Sequence, residues 1–147
     1  MIGGKVGVDL ASATTIKALL ETNSISTIVL YAQKGYPNEC CGFMCADGVV
    51  FPANNIIDTI GNRSISAKTA FLIDPKSWEV AVKYKHPIRL IYHSHTNGDT
   101  NMSAADIKFL KWPDLFYLIV GLIDTNPIAA KLYWWQNETL YDLPITL

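Results

Sequence analysis

Two apolar runs constrain the fold of this chain more than any other feature. Leu115–Ile123 and Ile128–Trp135 are almost entirely hydrophobic. Each is far shorter than the ~20 residues that a membrane-spanning helix needs, so both are predicted to lie as strands in a buried core. Shorter strand-like segments precede and follow them. The predicted short strands are Cys41–Cys45, Val49–Pro52, Ala70–Ile73, Ile88–Tyr92 and Leu140–Ile145.

Helical patterns alternate with these strands. Ser24–Lys34 carries its apolar residues on one helical stripe, and Gly35 follows as a stop signal. Asp74 and Pro75 supply an N-cap and a first-turn proline for a helix over Lys76–Tyr84. A further helix is predicted from Met102–Ser103 to Pro113, whereas Ala11–Leu20 fits either a helix or an opening strand. The alternation predicts an α/β or α+β sandwich.

Composition limits the domain count and the class of partner. A length of 147 residues suits one domain over 1–147, with 1–23 as an uncertain extension and a flexible terminus at Gly3–Gly4. The net charge of -1 provides no basic field for nucleic acid or anionic lipid. The N-terminus lacks the apolar core of a secretory signal, and three clustered cysteines do not make a disulfide framework. We therefore expect a cytoplasmic protein without a nucleic-acid or membrane partner.

The chemistry-bearing residues cluster after the strand at Ile88–Tyr92. His93 and His95 are two residues apart, so on a strand both imidazoles point to the same face. Asp106 follows in the first turn of the next predicted helix and offers a carboxylate as a third ligand. Two histidines and a carboxylate with an open fourth position are typical of catalytic zinc sites.

Other interpretations of the same residues stay open at this point. A single histidine is more often structural than metal-binding, and the histidine pair by itself does not decide between a structural role and metal binding. Ser103 and Asp106 have the spacing of a helix capping box, which is compatible with a site role. His86, the third histidine, precedes a proline in a turn and is assigned no role.

The spacing from His93 to Asp106 resembles the JAMM motif of the Mov34/MPN/PAD-1 metallopeptidases. A second block, Tyr36–Met44, resembles the upstream segment of the stand-alone prokaryotic members, and the similarity covers roughly residues 24–136. The resemblance implies an MPN-like mixed β-sheet flanked by helices, in a cytidine-deaminase-like sandwich. The sequence differs from many family members at Thr96, where those members have proline. This difference favours a looser loop over Thr96–Met102.

The same resemblance implies roles for five residues and one cofactor. His93, His95 and Asp106 would bind one zinc ion per chain. Glu39 would be the general base, and Ser103 would donate a hydrogen bond to the oxyanion. The polar segment Asn54–Thr69 falls where related deubiquitinases carry a substrate-gripping insertion, so we take it as the candidate substrate-binding loop.

These roles favour a zinc-dependent peptidase or isopeptidase that cuts after the C-terminal tail of a ubiquitin-like protein. The settings that the family implies include deconjugation, precursor trimming and phage tail assembly, and the sequence does not choose among them. A non-catalytic MPN scaffold is a second possibility, although all five motif positions are intact. An iron(II) oxygenase is a third, because two histidines and a carboxylate also form a facial triad. An oxygenase of this kind would have no role for Glu39 or Ser103.

Overall fold

The computed structural model describes residues 8–147, so the flexible terminus expected at Gly3–Gly4 lies outside the described residues. Helices and strands alternate along this part of the chain. The helices are α1 Leu10–Leu19, α2 Ile25–Gly35, α3 Pro75–Val82 and α4 Ala104–Phe109. The strands are β1 Cys41–Cys45, β2 Val50–Ala53, β3 Ile88–His95, β4 Phe116–Ile123, β5 Asn126–Gln136 and β6 Thr139–Ile145.

The chain is helical from Leu10 to Gly35. α1 begins at the N-cap Asp9, whose carboxylate accepts a hydrogen bond from the Ser12 amide over 2.8 Å. A π-helical turn over Leu20–Ser24 joins α1 to α2. Ala13 and Ile16, three residues apart on α1, are buried on its inner side. The helical alternative for Ala11–Leu20 is therefore confirmed, and the opening strand is wrong.

All six strands form one mixed sheet in the order β2-β1-β3-β4-β5-β6. β3 lies near the centre, antiparallel to β1 and parallel to β4, and the remaining neighbours are antiparallel. The buried sides of α1 and α2 pack on one face, in a cluster that includes Leu90, Leu118 and Trp134. α3 covers part of the other face, where Ala81 packs with Phe43 and Ile91. The predicted α+β sandwich is confirmed.

Two local predictions are wrong. Ala70–Ile73 forms no strand, since its single bridge joins Ile73 to Asn55. The helix that begins after Ser103 ends at Phe109, four residues before Pro113. Asn54–Thr69 is irregular as predicted, apart from a 3₁₀ turn over 57–60. Within residues 8–147, no helix has both the length and the apolar character to cross a bilayer.

Candidate metal centre

The candidate metal centre lies at the carboxyl end of β3. His93 and His95 are the last residues that alternate to this face of the strand, and both are buried. The chain then loops out through α4, whose first turn brings Asp106 back beside the histidines. The end of β3 and the first turn of α4 therefore supply all three predicted ligands.

Three ligand atoms form a nearly equilateral triangle. The Nε2 atoms of His93 and His95 are 3.1 Å apart. Asp106 Oδ2 lies 3.2 Å from Nε2 of His93 and 3.0 Å from Nε2 of His95. Tetrahedral zinc with bonds of about 2.0–2.1 Å separates its ligand atoms by about 3.3 Å. The triangle therefore has close to the dimensions that a zinc ion requires.

The hydrogen bonds of His95 explain why these atoms need a cation among them. His95 Nδ1 lies 2.7 Å from the carbonyl oxygen of Asp99. A carbonyl only accepts, so Nδ1 carries the hydrogen, and in the neutral ring Nε2 presents a lone pair to the Asp106 carboxylate. Two electron pairs facing each other over 3.0 Å repel unless a proton or a metal ion lies between them. The donor set thus fits a divalent metal.

His93 is held by stacking as well as by the strand. Its ring stacks on Phe71 with centroids 4.5 Å apart and an interplanar angle of 27°. Its Nδ1 atom is buried and has no hydrogen-bond partner among residues 8–147. Burial lowers the pKa of His93, which keeps the imidazole neutral as metal binding requires.

The ionisation of the other two ligands reflects their mutual contact. Burial alone would raise the pKa of Asp106, but hydrogen bonds from His93 and His95 outweigh it and hold that pKa well below its usual range. Burial opposes charge on His95 as well. The hydrogen bond to Asp106 and the charge of Glu39 overcome this and raise the pKa of His95. The pKa shifts of Asp106 and His95 thus share one cause, which is their contact at the centre of the site.

Glu39 lies beside the triangle, just before β1. Its carboxylate and the ring nitrogens of His93 and His95 lie within 4.8 Å of one another. The residue is only 6% exposed, and burial raises the pKa of Glu39 to about 8. The nearby charge of Asp106 adds to this rise in the pKa of Glu39, and that of His95 opposes it. A carboxyl group with a pKa near neutrality is suited to accept and return a proton.

The candidate substrate loop holds the backbone of Glu39 on both sides. The Glu39 amide donates to the carbonyl of Ala67 over 2.6 Å. The Glu39 carbonyl accepts a hydrogen bond from Nδ2 of Asn55 over 2.9 Å. Asn55 also donates to the Ala70 carbonyl and accepts from the amides of Ile57 and Leu72. Asn55, which the sequence analysis did not single out, therefore connects the loop to the predicted base.

Ser103 is the N-cap of α4 and shares a capping box with Asp106. The Ser103 hydroxyl accepts from the Asp106 amide over 3.0 Å, and the Ser103 amide donates to Asp106 Oδ2 over 3.0 Å. A hydroxyl that accepts through its oxygen still has a hydrogen to donate. Ser103 is exposed beside the centre, so its cap role and its predicted oxyanion role are compatible.

The loop after the second histidine is anchored at Thr96. The Thr96 hydroxyl donates to the Lys68 carbonyl over 2.9 Å and so joins this loop to the candidate substrate loop. Gly98 has a φ of 78° and lies against Gly121, where a Cβ would approach the Gly98 oxygen to 2.6 Å. The looser loop that the sequence favours over Thr96–Met102 remains a prediction, and the Thr96 hydrogen bond holds the start of this loop. His86 lies away from the centre, 3.8 Å from Asp47.

Comparison with known proteins agrees with this architecture. The model of the Prok-JAB family, the prokaryotic homologues of the JAB domain, matches residues 21–135. Proteins named CysO-cysteine peptidase from Mycobacterium tuberculosis (strain ATCC 25618 / H37Rv) and Mycobacterium bovis are 27% identical over 143 residues, covering 94% of this chain and 96% of each relative.

Two solved structures share the fold. The solution structure of protein DSY2949 from Desulfitobacterium hafniense has a TM-score of 0.64 and 24% identity, covering 84% of this chain and 87% of that one. The solution structure of a Salinibacter ruber protein has a TM-score of 0.54 and 21% identity, covering 82% and 84%. The resemblance seen in the motif is thus confirmed at the level of family and fold. Because the family match runs unbroken from before Glu39 to beyond Asp106, the chain belongs to the Prok-JAB family.

Proposed function

We propose that this protein is a zinc-dependent peptidase or isopeptidase that hydrolyses the bond after the C-terminal tail of a ubiquitin-like protein. The observation that carries the proposal is the triangle of His93 Nε2, His95 Nε2 and Asp106 Oδ2 beside the buried carboxyl group of Glu39. Relatives named as peptidases that match 94% of the chain support hydrolysis of a peptide-type bond.

Each residue has a distinct task in this proposal. A zinc ion held by His93, His95 and Asp106 would polarise the scissile carbonyl and acidify a water molecule. Glu39 takes the proton of the attacking water and returns it to the leaving amine, which its raised pKa favours. Ser103 donates its hydroxyl hydrogen to the oxyanion as the carbonyl becomes tetrahedral.

The substrate assignment rests on the loop and on the family. A ubiquitin-like tail is extended and glycine-rich, so it offers backbone groups to a loop such as Asn54–Thr69. We propose that glycine or another small residue precedes the cleaved bond, because larger residues would clash in a narrow groove over the metal. Either a lysine side chain or a backbone nitrogen can then leave.

One experiment separates the alternatives. The protein is purified without added metal, its metal content is measured, and it is then assayed on ubiquitin-like proteins fused through their tails to a reporter. Stoichiometric zinc with cleavage after the tail supports the proposal. Absence of bound metal and of cleavage favours the scaffold, and iron with oxygen consumption favours the oxygenase. Tail fusions left intact by the zinc-loaded protein would overturn the substrate assignment.

A further inference from the structure

An apolar pocket opens directly beside the metal centre. Its volume is about 430 Å³, within the range of small-ligand sites. The candidate substrate loop, the segment after it, α3 and α4 all contribute walls. Its principal side chains are Phe71, Ile73, Trp78, Phe109, Leu110 and Trp112.

Two contacts make the pocket continuous with the metal centre. Ser103 and Asp106 line its edge, so the predicted oxyanion donor and a metal ligand are also part of its wall. Phe71 lines it on the other side and stacks on His93. A substrate whose carbonyl lies at the metal therefore has the pocket within reach of its neighbouring side chains.

The lining of the pocket defines what it accepts. Among its described lining residues, Asp106 is the one with a formal charge, and that carboxylate is turned to the histidines. A charged side chain placed here would lose its hydration without gaining a partner. Aromatic rings form part of the wall, with Trp78 and Trp112 at 5.0 Å between centroids. The chemistry favours a bulky aliphatic or aromatic group.

The rim of the pocket exposes apolar surface that a free protein normally covers. Phe109 is 69% exposed, Ile60 49%, Trp112 43% and Leu72 41%. Apolar side chains exposed singly are ordinary, but a contiguous group around a concave site marks a surface that binds something apolar. Ile60, Leu72 and Phe109 come from three different segments of the chain, and all three line this pocket.

We propose that this pocket is a specificity site for a bulky apolar side chain of the substrate, on the acyl side and within three residues of the cleaved bond. The inference rests on the proposed peptidase function. An extended chain advances about 3.3 Å per residue and turns alternate side chains to opposite sides. A small residue at the bond and a Leu, Ile or Phe shortly before it thus satisfy the narrow metal centre and the apolar pocket together.

Binding of cleavage-product peptides tests this proposal without relying on catalysis. Three peptides end in the same free glycine and differ only at the third residue from the end, which is Phe, Ala or Lys. Affinity for the zinc-loaded protein is measured by calorimetry and by the change in its tryptophan fluorescence. The Phe peptide should bind about tenfold or more tightly than the Ala peptide, the scale expected when such a side chain leaves water. The Lys peptide should bind no better than the Ala peptide.

Pocket variants and a matched control locate the effect. Phe109→Ser removes an exposed lining residue, and Ala105→Trp fills the pocket from the surface of α4. Val80→Ser is the control, because Val80 is 60% exposed on α3 and does not line the pocket. The preference for Phe should disappear in both pocket variants and persist in the control.

Three results would overturn the inference. The first is equal affinity for the Phe and Ala peptides. The second is a preference that survives both pocket variants. The third is a dimer, seen by sedimentation, that Phe109→Ser dissociates and Val80→Ser does not, since a second copy would then occupy the pocket. Cleavage of tail fusions is measured separately: selective binding without cleavage rejects the peptidase proposal alone, whereas cleavage without side-chain preference rejects the pocket alone.

Discussion

The side-chain amide of Asn55 donates to the backbone carbonyl of Glu39 over 2.9 Å and to the carbonyl of Ala70 over 3.0 Å. The side-chain oxygen of Asn55 accepts hydrogen bonds from the amide of Ile57, in the same loop, and from the amide of Leu72, just after it. The four bonds of this one side chain thus join the backbone of the predicted base to the candidate substrate loop and to the segment that follows it. A change in the loop therefore reaches Glu39 through Asn55 and Ala67, which both hydrogen-bond to its backbone.

Replacing Asn55 with Asp tests this connection. Asn55→Asp keeps the acceptor oxygen but loses the two donated bonds, which leaves the carbonyl of Glu39 without its partner. We expect kcat to fall by about tenfold or more with zinc content unchanged, and the pH dependence of kcat to shift because Glu39 moves. Asn54→Asp is the matched control, since Asn54 is exposed and bonds through its backbone. A variant that unfolds earlier but keeps the wild-type pH profile would reduce Asn55 to a purely structural role.

Removing a predicted ligand should remove the metal. His95→Ala or Asp106→Ala deletes one corner of the ligand triangle, and we expect zinc, measured by elemental analysis after dialysis, to fall well below one per chain. His86→Ala is the control, because this histidine is exposed and lies away from the centre. Full zinc occupancy in both ligand variants would reject the proposed site.

Glu39→Gln should separate catalysis from metal binding. The amide cannot take a proton from water, so we expect a loss of about a hundredfold or more in kcat, the usual scale of general base catalysis. Zinc content and melting temperature should remain close to wild type. The control is Glu79→Gln, on the exposed side of α3. Because Glu39 lies within ligand distance of both histidines, loss of zinc in the variant would instead identify it as a ligand.

The metal-free protein should become less stable as pH rises from about 4.5 to about 8, owing to Glu39. Burial raises the pKa of Glu39 from 4.5 to about 8 in the folded state. Between these values the folded chain retains a proton that the unfolded chain has released, so raising the pH favours unfolding. Thermal melts of the metal-free wild type and Glu39→Gln across this range measure the contribution of Glu39 together with the effect of its charge on His95. Parallel pH profiles for the two proteins would contradict the expectation.

Sequence patterns correctly predicted the features that depend on residues close together in the chain. The Asp-Gly turn at 47–48 predicted the hairpin of β1 and β2, and the same-face pair of His93 and His95 predicted the converging imidazoles. The spacing of Ser103 and Asp106 predicted the capping box that forms. In each case the partners are close in sequence, so the pattern itself contains the geometry.

Features that depend on distant segments were not predictable in this way. Ala70–Ile73 is apolar enough for a strand, but the side chain of Asn55 takes the hydrogen bonds that a full neighbouring strand would make. The pocket beside Asp106 likewise needs Phe71, Trp78 and Trp112, from three segments, in one place. Without the family resemblance, Glu39 would not have stood out from the other acidic residues, because its burial is set by the fold.

The double role of Asp106 limits which substitutions this protein could accept during evolution. One oxygen of its carboxylate accepts the capping bond of a six-residue helix and also completes the ligand triangle. A substitution that discards the metal at this position also loosens the start of α4, and with it one wall of the pocket. Loss of catalysis through a substitution of Asp106 would therefore also disrupt the pocket that would bind a partner. A descendant that keeps binding while abandoning chemistry is expected to change Glu39 or a histidine first and to retain the aspartate.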